Sequence, residues 1–306
     1  MILVCGETLA DLVPTGADAF RALPGGSPAN VAVGIARLGE PAAMLARISR
    51  DRLGSLLRRH LADNGVDLRH VVAADEPATL AVVSLDEAGR ASYSFYANGT
   101  ADWQWKPREL PAHLDDVSAV HFGSLAMTLA PGAEILETFM QRVRDRHLVS
   151  YDPNVRPALE DPAAMVQRVQ RQVGLAHVVR ASTDDLSALY PGCAVDDVAR
   201  SWLDRGPHLV VVTDGPDGAH GFTVHDHVHV AARHVSVADT VGAGDAFMSA
   251  LLVGLARRSS GPPDTETLRV LLHDAADAAS WTCMRAGADP PRRDELTQWR
   301  ADGMPD

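Results

Sequence analysis

The stretch Asp239-Thr-Val-Gly-Ala-Gly-Asp-Ala-Phe247 places three small residues, Gly242, Ala243 and Gly244, directly before an acid and an apolar helical run. Small residues let a backbone turn tightly and come close to a ligand. The N–H groups of a helix start lack intrahelical partners and point at whatever lies in front of them. Such a hole suits negative charge developing on a transferred phosphoryl group. Asp245 stands at its mouth, where a carboxylate accepts the proton of an attacking hydroxyl. A helix N-terminus favours the ionised carboxylate, so the expected work of Asp245 is orientation and late proton acceptance. The same residues equally describe a tight turn with a helix-start acid, because short glycine motifs are weak taken alone. No Gly-Lys-Ser/Thr ending marks a Walker A loop, and Phe247 stands where a dinucleotide fingerprint needs its third glycine.

A second segment, Gly25-Gly26-Ser27-Pro28-Ala29-Asn30, runs straight into an amphipathic helical pattern ending at Leu38. Paired glycines open backbone to a small polar ligand, and Asn30 can both donate to and accept from a sugar hydroxyl. The alternative is a plain helix entry with Asn30 near the N-cap.

The elements that must position these residues alternate along the chain. Strand-like runs occur at Ile2–Cys5, Val117–Phe122, His147–Tyr151, Val178–Val179 and Leu209–Val212. Helical patterns cover Asn30–Leu38, Ala133–Arg144, Ala163–Val173, Val195–Leu203 and Asp245–Leu255. This rhythm predicts an α/β fold with a mainly parallel central sheet and helices on both faces. One region breaks it: Thr79–Leu85 and Ala91–Tyr96 are β-rich, with a turn signal at 86–89 between them. Leu12–Leu23 also reads as extended. Together they predict a small β lid, built from about 12–23 and 79–104, on a single domain spanning 1–306. The tail after Gly287 reads as surface chain.

The two glycine segments resemble the signatures of the PfkB, or ribokinase-like, carbohydrate kinase family. The likeness runs through the whole chain in order and includes Phe122-Gly-Ser-Leu125, Thr213-Asp-Gly-Pro-Asp-Gly-Ala219 and Arg285-Ala-Gly-Ala-Asp-Pro290. The wordings Gly-Gly-Ser-Pro-Ala-Asn and Tyr151-Asp-Pro-Asn-Val-Arg-Pro157 are most similar to bacterial fructokinases. The resemblance implies an ATP-dependent kinase for a sugar hydroxyl, fructose first. Other acceptors in the family's range are 2-keto-3-deoxygluconate, ribose or a nucleoside, and a catalytically silent sugar- or nucleotide-binding regulator stands as a further alternative.

It also implies roles. Asp245 becomes the catalytic base, with Gly242, Ala243 and Gly244 as the anion hole. Asp11, Gly26, Asn30 and Arg156 face the sugar, and Phe95, Tyr96 and Asn98 line the lid side. Ser182, Thr213, Gly215 and Gly218 border the nucleotide. Asp185 occupies the place of a glutamate that organises Mg2+ through water, with a shorter side chain. Asp214 replaces a usual apolar residue. Asp239, with the Val241 carbonyl and the Gly287 region, is the candidate for a monovalent cation such as K+.

Bulk properties bound the alternatives. The 306 residues are 46% hydrophobic and 22% charged with a formal net charge of −12. That acidity argues against nucleic-acid or anionic-membrane partners. Cys5, Cys193 and Cys283 are far apart, so reduced thiols in a cytoplasmic protein are expected rather than a disulfide or zinc framework. No apolar run approaches the roughly 20 residues of a membrane helix. Exposed lid edges invite pairing, which makes a homodimer through the lid an expectation. His225, His227 and His229 alternate on one strand face. A metal site is conceivable there, but a solvated face with Val224, Val228 and Val230 turned inward is the simpler reading. Trp103 and Trp105 are expected to pack at the lid base, and Asp274 and Asp277 to lie on a solvated helix face.

Overall fold

The computed structural model describes residues 1–16, 18–85, 91–258 and 261–303. Its strands are β1 (Ile2–Cys5), β2 (Leu9–Gly16), β3 (Ala19–Gly25), β4 (Ala42–Leu45), β5 (Arg47–Ser49), β6 (Val72–Ala74), β7 (Leu80–Leu85), β8 (Ala91–Tyr96), β9 (Ala119–Gly123), β10 (Leu148–Asp152), β11 (Val178–Ser182), β12 (Leu209–Thr213), β13 (Ala219–Phe222) and β14 (His227–Val230). The helices are α1 (Ser27–Arg37), α2 (Arg52–Asp63), α3 (Gly132–Val143), α4 (Pro162–Val173), α5 (Thr183–Leu189), α6 (Val195–Leu203), α7 (Ala243–Ala256), α8 (Thr265–Cys283) and α9 (Arg293–Asp302).

The large sheet runs β14-β13-β12-β11-β10-β9-β1-β4. Pairing is parallel from β4 to β12 and antiparallel for β12–β13 and β13–β14. Strands covered on both faces should be apolar throughout. In β1, Leu3 and Cys5 join one core cluster while Ile2 and Val4 join the other. In β12, Val210 and Val212 face the first and Leu209 and Val211 the second. The first cluster lies under α3, α4, α5 and α6, and the second under α1, α2, α7 and α8.

A separate sheet, β3-β2-β7-β8, stands apart from the large one. Its β2 pairs antiparallel with β3 and parallel with β7, so the extended segment does join the hairpin as expected. The turn expected at 86–89 lies outside the described residues. Trp103 and Trp105 are each 2% exposed and belong to the first core cluster.

Three expectations are corrected. Val224 is 67% exposed, whereas Val228 and Val230 are buried, because β14 starts only at His227 and Val224 sits in the turn before it. The tail after Gly287 folds back: Arg37 pairs with Asp289, α9 buries Leu296, and Arg233 stacks on Trp299. Asp277 is not on a solvated face, since Arg300 and Arg233 both bridge to it, while Asp274, also bridged by Arg300, stays half exposed as expected. In the last two cases the partner comes from distant chain that periodicity cannot see.

Candidate active site

Helices α1 and α7 begin at the carboxyl ends of the parallel strands, and their first turns face each other. Gly242 caps α7 in the left-handed region at φ 79°. A side chain there would be strained, and its Cβ would meet the Ala288 Cβ at 2.6 Å. Ala243 and Gly244 open the helix, and Asp245 follows in its first turn. Ser27 Oγ donates to Asp245 Oδ1 at 2.6 Å, and Asn30 Nδ2 donates to Asp245 Oδ2 at 2.8 Å. Ser249 Oγ, one turn on in α7, reaches the Val31 carbonyl at 3.0 Å and ties the two helices.

Burial pushes the Asp245 carboxyl above the ordinary carboxylate value, against the hydrogen bonds from Ser27 and Asn30 and the positive charges of Arg180 and Arg156. This corrects the expectation that the helix start leaves the basicity of Asp245 unraised: the shift runs the other way, and its first cause is the removal of the charge from water. A partly buried carboxylate of raised basicity is the better proton acceptor.

Asp245 looks into a cavity of about 300 Å³. Asp11, Gly26, Asn30, Phe95, Arg156, Ser182, Asp185, Gly242 and Gly244 line it with Asp245, as do Glu7, Ser27, Tyr93, Ser124, Asn154 and Arg180. A second cavity of about 460 Å³ is bordered by Ser182, Thr213, Gly215, Gly218, Ala243 and Gly244, and its far end is apolar with Val235, Val237, Ala276 and Cys283. Arg180, Ser182 and Gly244 belong to both walls. The structure thus brings together most residues named from the sequence. Asn98 is exposed and lines neither cavity, because β8 ends at Tyr96 and the chain turns outward. Tyr96 is 62% exposed on the outer face of the small sheet.

Three carboxylates besides Asp245 line the first cavity: Asp11, Glu7 and Asp185. Burial, and then the charge of Asp245, raises Asp11 to about 6. Burial raises Glu7 to about 7, although its carboxylate accepts from the Ala126 N–H at 3.0 Å. Arg156 Nη1 is occupied within its own loop, donating to the Asn154 carbonyl, Asn154 Oδ1 and the Val155 carbonyl. Ser124 and Asn154 hold that rim with positive φ values of 60° and 36°.

Ser182 and Asp185 form a capping box at the start of α5. Asp185 Oδ2 accepts from Ser182 N and Oγ, and Oδ1 accepts from Val155 N at 2.9 Å. With three hydrogen bonds already accepted, this carboxylate suits an ion that keeps its own water, as Mg2+ usually does. Among the described residues no group of three His, Cys, Asp or Glu is placed to hold a metal ion. That includes the histidine face, where His220 Nδ1 lies 3.0 Å from His227 Nε2 and stacks on His229. Asp214 accepts from Thr183 Oγ1 at 2.8 Å, which explains an acid at that position. Asp239 Oδ1 accepts from Val241 N and Oδ2 from Gly287 N, drawing both loops to one carboxylate.

Sequence reasoning missed Tyr93, Glu7, Ser27 and Arg180. Tyr93 was legible from strand parity, since it shares a face with Phe95 in β8, and their rings stack at 6.2 Å. Arg180 carried a signal too, as a charged residue inside an otherwise apolar parallel strand.

The model of the pfkB family carbohydrate kinases matches residues 1–295. A fructokinase of Rhizobium leguminosarum bv. trifolii is 36% identical over 260 residues, 83% of this chain and 79% of that protein. A fructokinase of Klebsiella pneumoniae is 33% identical over 304 residues, 96% of this chain and 97% of that protein. Among solved structures, the Xylella fastidiosa fructokinase with bound ATP superposes at a TM-score of 0.89 with 30% identity, covering 98% of both chains. The Vibrio cholerae O395 fructokinase, seen with fructose, ADP and calcium ion, gives 0.86 at 29% identity over 96% of this chain and 95% of that one. A double mutant of that enzyme, seen with fructose, ADP and potassium ion, also gives 0.86 at 29% identity, covering 96% of this chain and 94% of that one. With these matches, and with a basic carboxylate at a glycine-built helix start between two cavities, the chain belongs to the pfkB family of carbohydrate kinases and is an ATP-dependent sugar kinase.

Proposed function

We propose that this enzyme phosphorylates fructose. The observation that carries the reading is Asp245, held by Ser27 and Asn30 in the wall of the smaller cavity and next in the chain to Gly244, which borders both cavities. The sugar occupies the smaller cavity. Its hydroxyls are received by Asp11, Asn30 and the Gly26 backbone, under Tyr93 and Phe95 of the small sheet. ATP lies in the larger cavity, its base toward the apolar end and its phosphates toward Gly242, Ala243 and Gly244. Asp245 orients the attacking hydroxyl and takes its proton as the new O–P bond forms. The N–H groups of the α7 start receive the charge that develops on the phosphoryl oxygens.

A neutral acceptor is supported by the charges of the smaller cavity. Arg156 and Arg180 are engaged with neighbouring protein groups, while Asp11 and Asp245 face inward. An acid such as 2-keto-3-deoxygluconate would meet a lining in which the carboxylates of Glu7, Asp11, Asp185 and Asp245 outnumber the cations Arg156 and Arg180. Mg2+ would supply charge neutralisation on the phosphates when bound, and in this reading Asp185 would hold one of its waters. A monovalent cation such as K+ is assigned to the loops joined by Asp239. The small sheet acts as a lid that excludes water, the competing acceptor. Phe20 and Tyr96, 52% and 62% exposed on that sheet, support a homodimer through it. Cys5, Cys193 and Cys283 are unpaired and no described helix is long and apolar enough to cross a membrane, which supports a cytoplasmic enzyme.

The test is ADP release from Mg·ATP with fructose, ribose, 2-keto-3-deoxygluconate and a ribonucleoside, run beside Asp245→Asn. Fructose-dependent turnover that falls by about 10²–10⁴ in the variant, with ATP binding unchanged, is expected. Turnover only with another acceptor would replace fructose, and turnover that survives in Asp245→Asn would remove the mechanism.

A further inference from the structure

Arg180 sits in β11, a central strand whose Val178, Val179 and Ala181 face apolar cores, yet it is only 7% exposed. A guanidinium in such a place needs a reason, since burying a charge is unfavourable unless it is well partnered. Two of its five N–H groups are accounted for: Nη1 donates to Asp152 Oδ2 at 2.9 Å, and Nη2 donates to Thr213 Oγ1. Its buried Nε has no partner among the described residues.

The location narrows the purpose. Arg180 lines both cavities, and it shares that distinction with Ser182 and with Gly244 of the α7 start. The guanidinium lies directly against Gly244: a Cβ there would be 2.8 Å from Nη2 and 3.0 Å from Nη1. A fixed cation and the start of α7, whose Gly244 N–H has no backbone partner among the described residues while that of Ala243 donates to the Thr240 carbonyl at 3.2 Å, therefore converge on one point between the cavities. An ion pair needed only to hold β10 to β11 would gain nothing from lying there.

We propose that Arg180 is a catalytic residue that grips the phosphoryl group while it passes from the nucleotide to the acceptor. The proposal rests on the kinase reading above. In the step, the acceptor oxygen forms its bond to the terminal phosphorus as the bond from that phosphorus to the bridging oxygen breaks. The acceptor proton goes to Asp245 and ADP leaves with the electron pair of the broken bond. The charge on the equatorial oxygens is shared by the α7 N–H groups and the guanidinium, and Asp152 and Thr213 keep that guanidinium from swinging away. Glycine at 244 is then required for close approach of the cation.

The experiment measures ADP affinity with and without aluminium fluoride, a planar mimic of a phosphoryl group in flight, by titration calorimetry in the presence of Mg2+. Tightening by the fluoride reports transition-state contacts and needs no acceptor. The wild-type protein should bind ADP more tightly with the fluoride. In Arg180→Met that gain should be lost while ADP affinity alone stays within threefold, and kcat should fall about 10²–10³-fold. A gain retained in Arg180→Met, absent in the wild type, or lost together with ADP affinity itself would overturn the proposal.

Because Arg180→Met strands a buried Asp152, the double variant Asp152→Asn/Arg180→Met is compared with Asp152→Asn alone, and the same loss is expected between those two. Wild-type turnover in the acceptor panel separates the two readings. A chain inert with every sugar whose fluoride response still depends on Arg180 would remove the sugar acceptor and leave Arg180 in place.

Discussion

Asn30 Nδ2 donates to Asp245 Oδ2 at 2.8 Å across 215 positions of chain, so the first turn of one helix holds the carboxylate of another. This contact joins the two glycine segments into one site. Ser27 takes the other carboxylate oxygen, which leaves Asp245 fixed in direction while burial raises its basicity.

Asn30→Ala should release one oxygen of Asp245 and delete a group facing the sugar. Hydrogen bonds to charged groups contribute about 1.5–3 kcal/mol, so kcat/KM for the acceptor should fall roughly ten- to a hundredfold. ADP affinity should not change, because Asn30 does not line the nucleotide cavity. Steady-state kinetics beside ADP titration checks both. A loss confined to ADP binding would place Asn30 elsewhere in the mechanism.

Sugar binding should weaken in acid. The Asp11 carboxyl is raised to about 6, first by burial and then by the charge of Asp245. As an ionised acceptor it receives hydroxyls, and once protonated below that value it does so less well. The acceptor dissociation constant should therefore be flat above pH 7 and rise by up to about tenfold per pH unit below 6. Asp245→Asn removes the second cause, so the break in its profile should move to lower pH. Calorimetric titration with the sugar from pH 5 to 8 reads this, and an unmoved break would refute the coupling.

Stability should fall as pH rises from about 4 to about 7. Burial raises the Asp102 carboxyl from its ordinary 3.8 to about 7, and that of Glu7 from 4.5 to about 7. Between those limits the folded protein keeps protons that the unfolded chain has lost, so each group favours folding less as pH climbs, until both states are ionised. Asp102 Oδ1 accepts from Thr8 N at 3.1 Å, and Oδ2 from Thr79 Oγ1. Asp102→Asn keeps the shape without the charge, and Thr79 can turn its hydroxyl toward Thr100. The variant should gain roughly 1 kcal/mol or more above pH 7, about 2–4 °C in Tm, and nothing near pH 4. A variant less stable than wild type at pH 8 would contradict the assignment.

The amino-acid sequence by itself determined the alternation of strands and helices, because apolar runs in parallel strands and one-sided helices are local patterns. It also marked Asp245, Gly242, Ala243, Gly244 and Asn30, whose residue types at helix starts carry their chemistry in the backbone next to them. Tertiary structure alone decided the rest. Asn98 was excluded by the direction in which the chain leaves β8. The antiparallel edge of β13 and β14 depended on which strands found each other. The basicity of Asp245 and Asp11 depended on burial, which belongs to the folded surface and to no segment. Arg180 and Gly244 lie 64 positions apart in the chain and meet only because the fold brings the first turn of α7 against the Arg180 guanidinium, and no local spacing encodes the charge that this contact places between the two cavities.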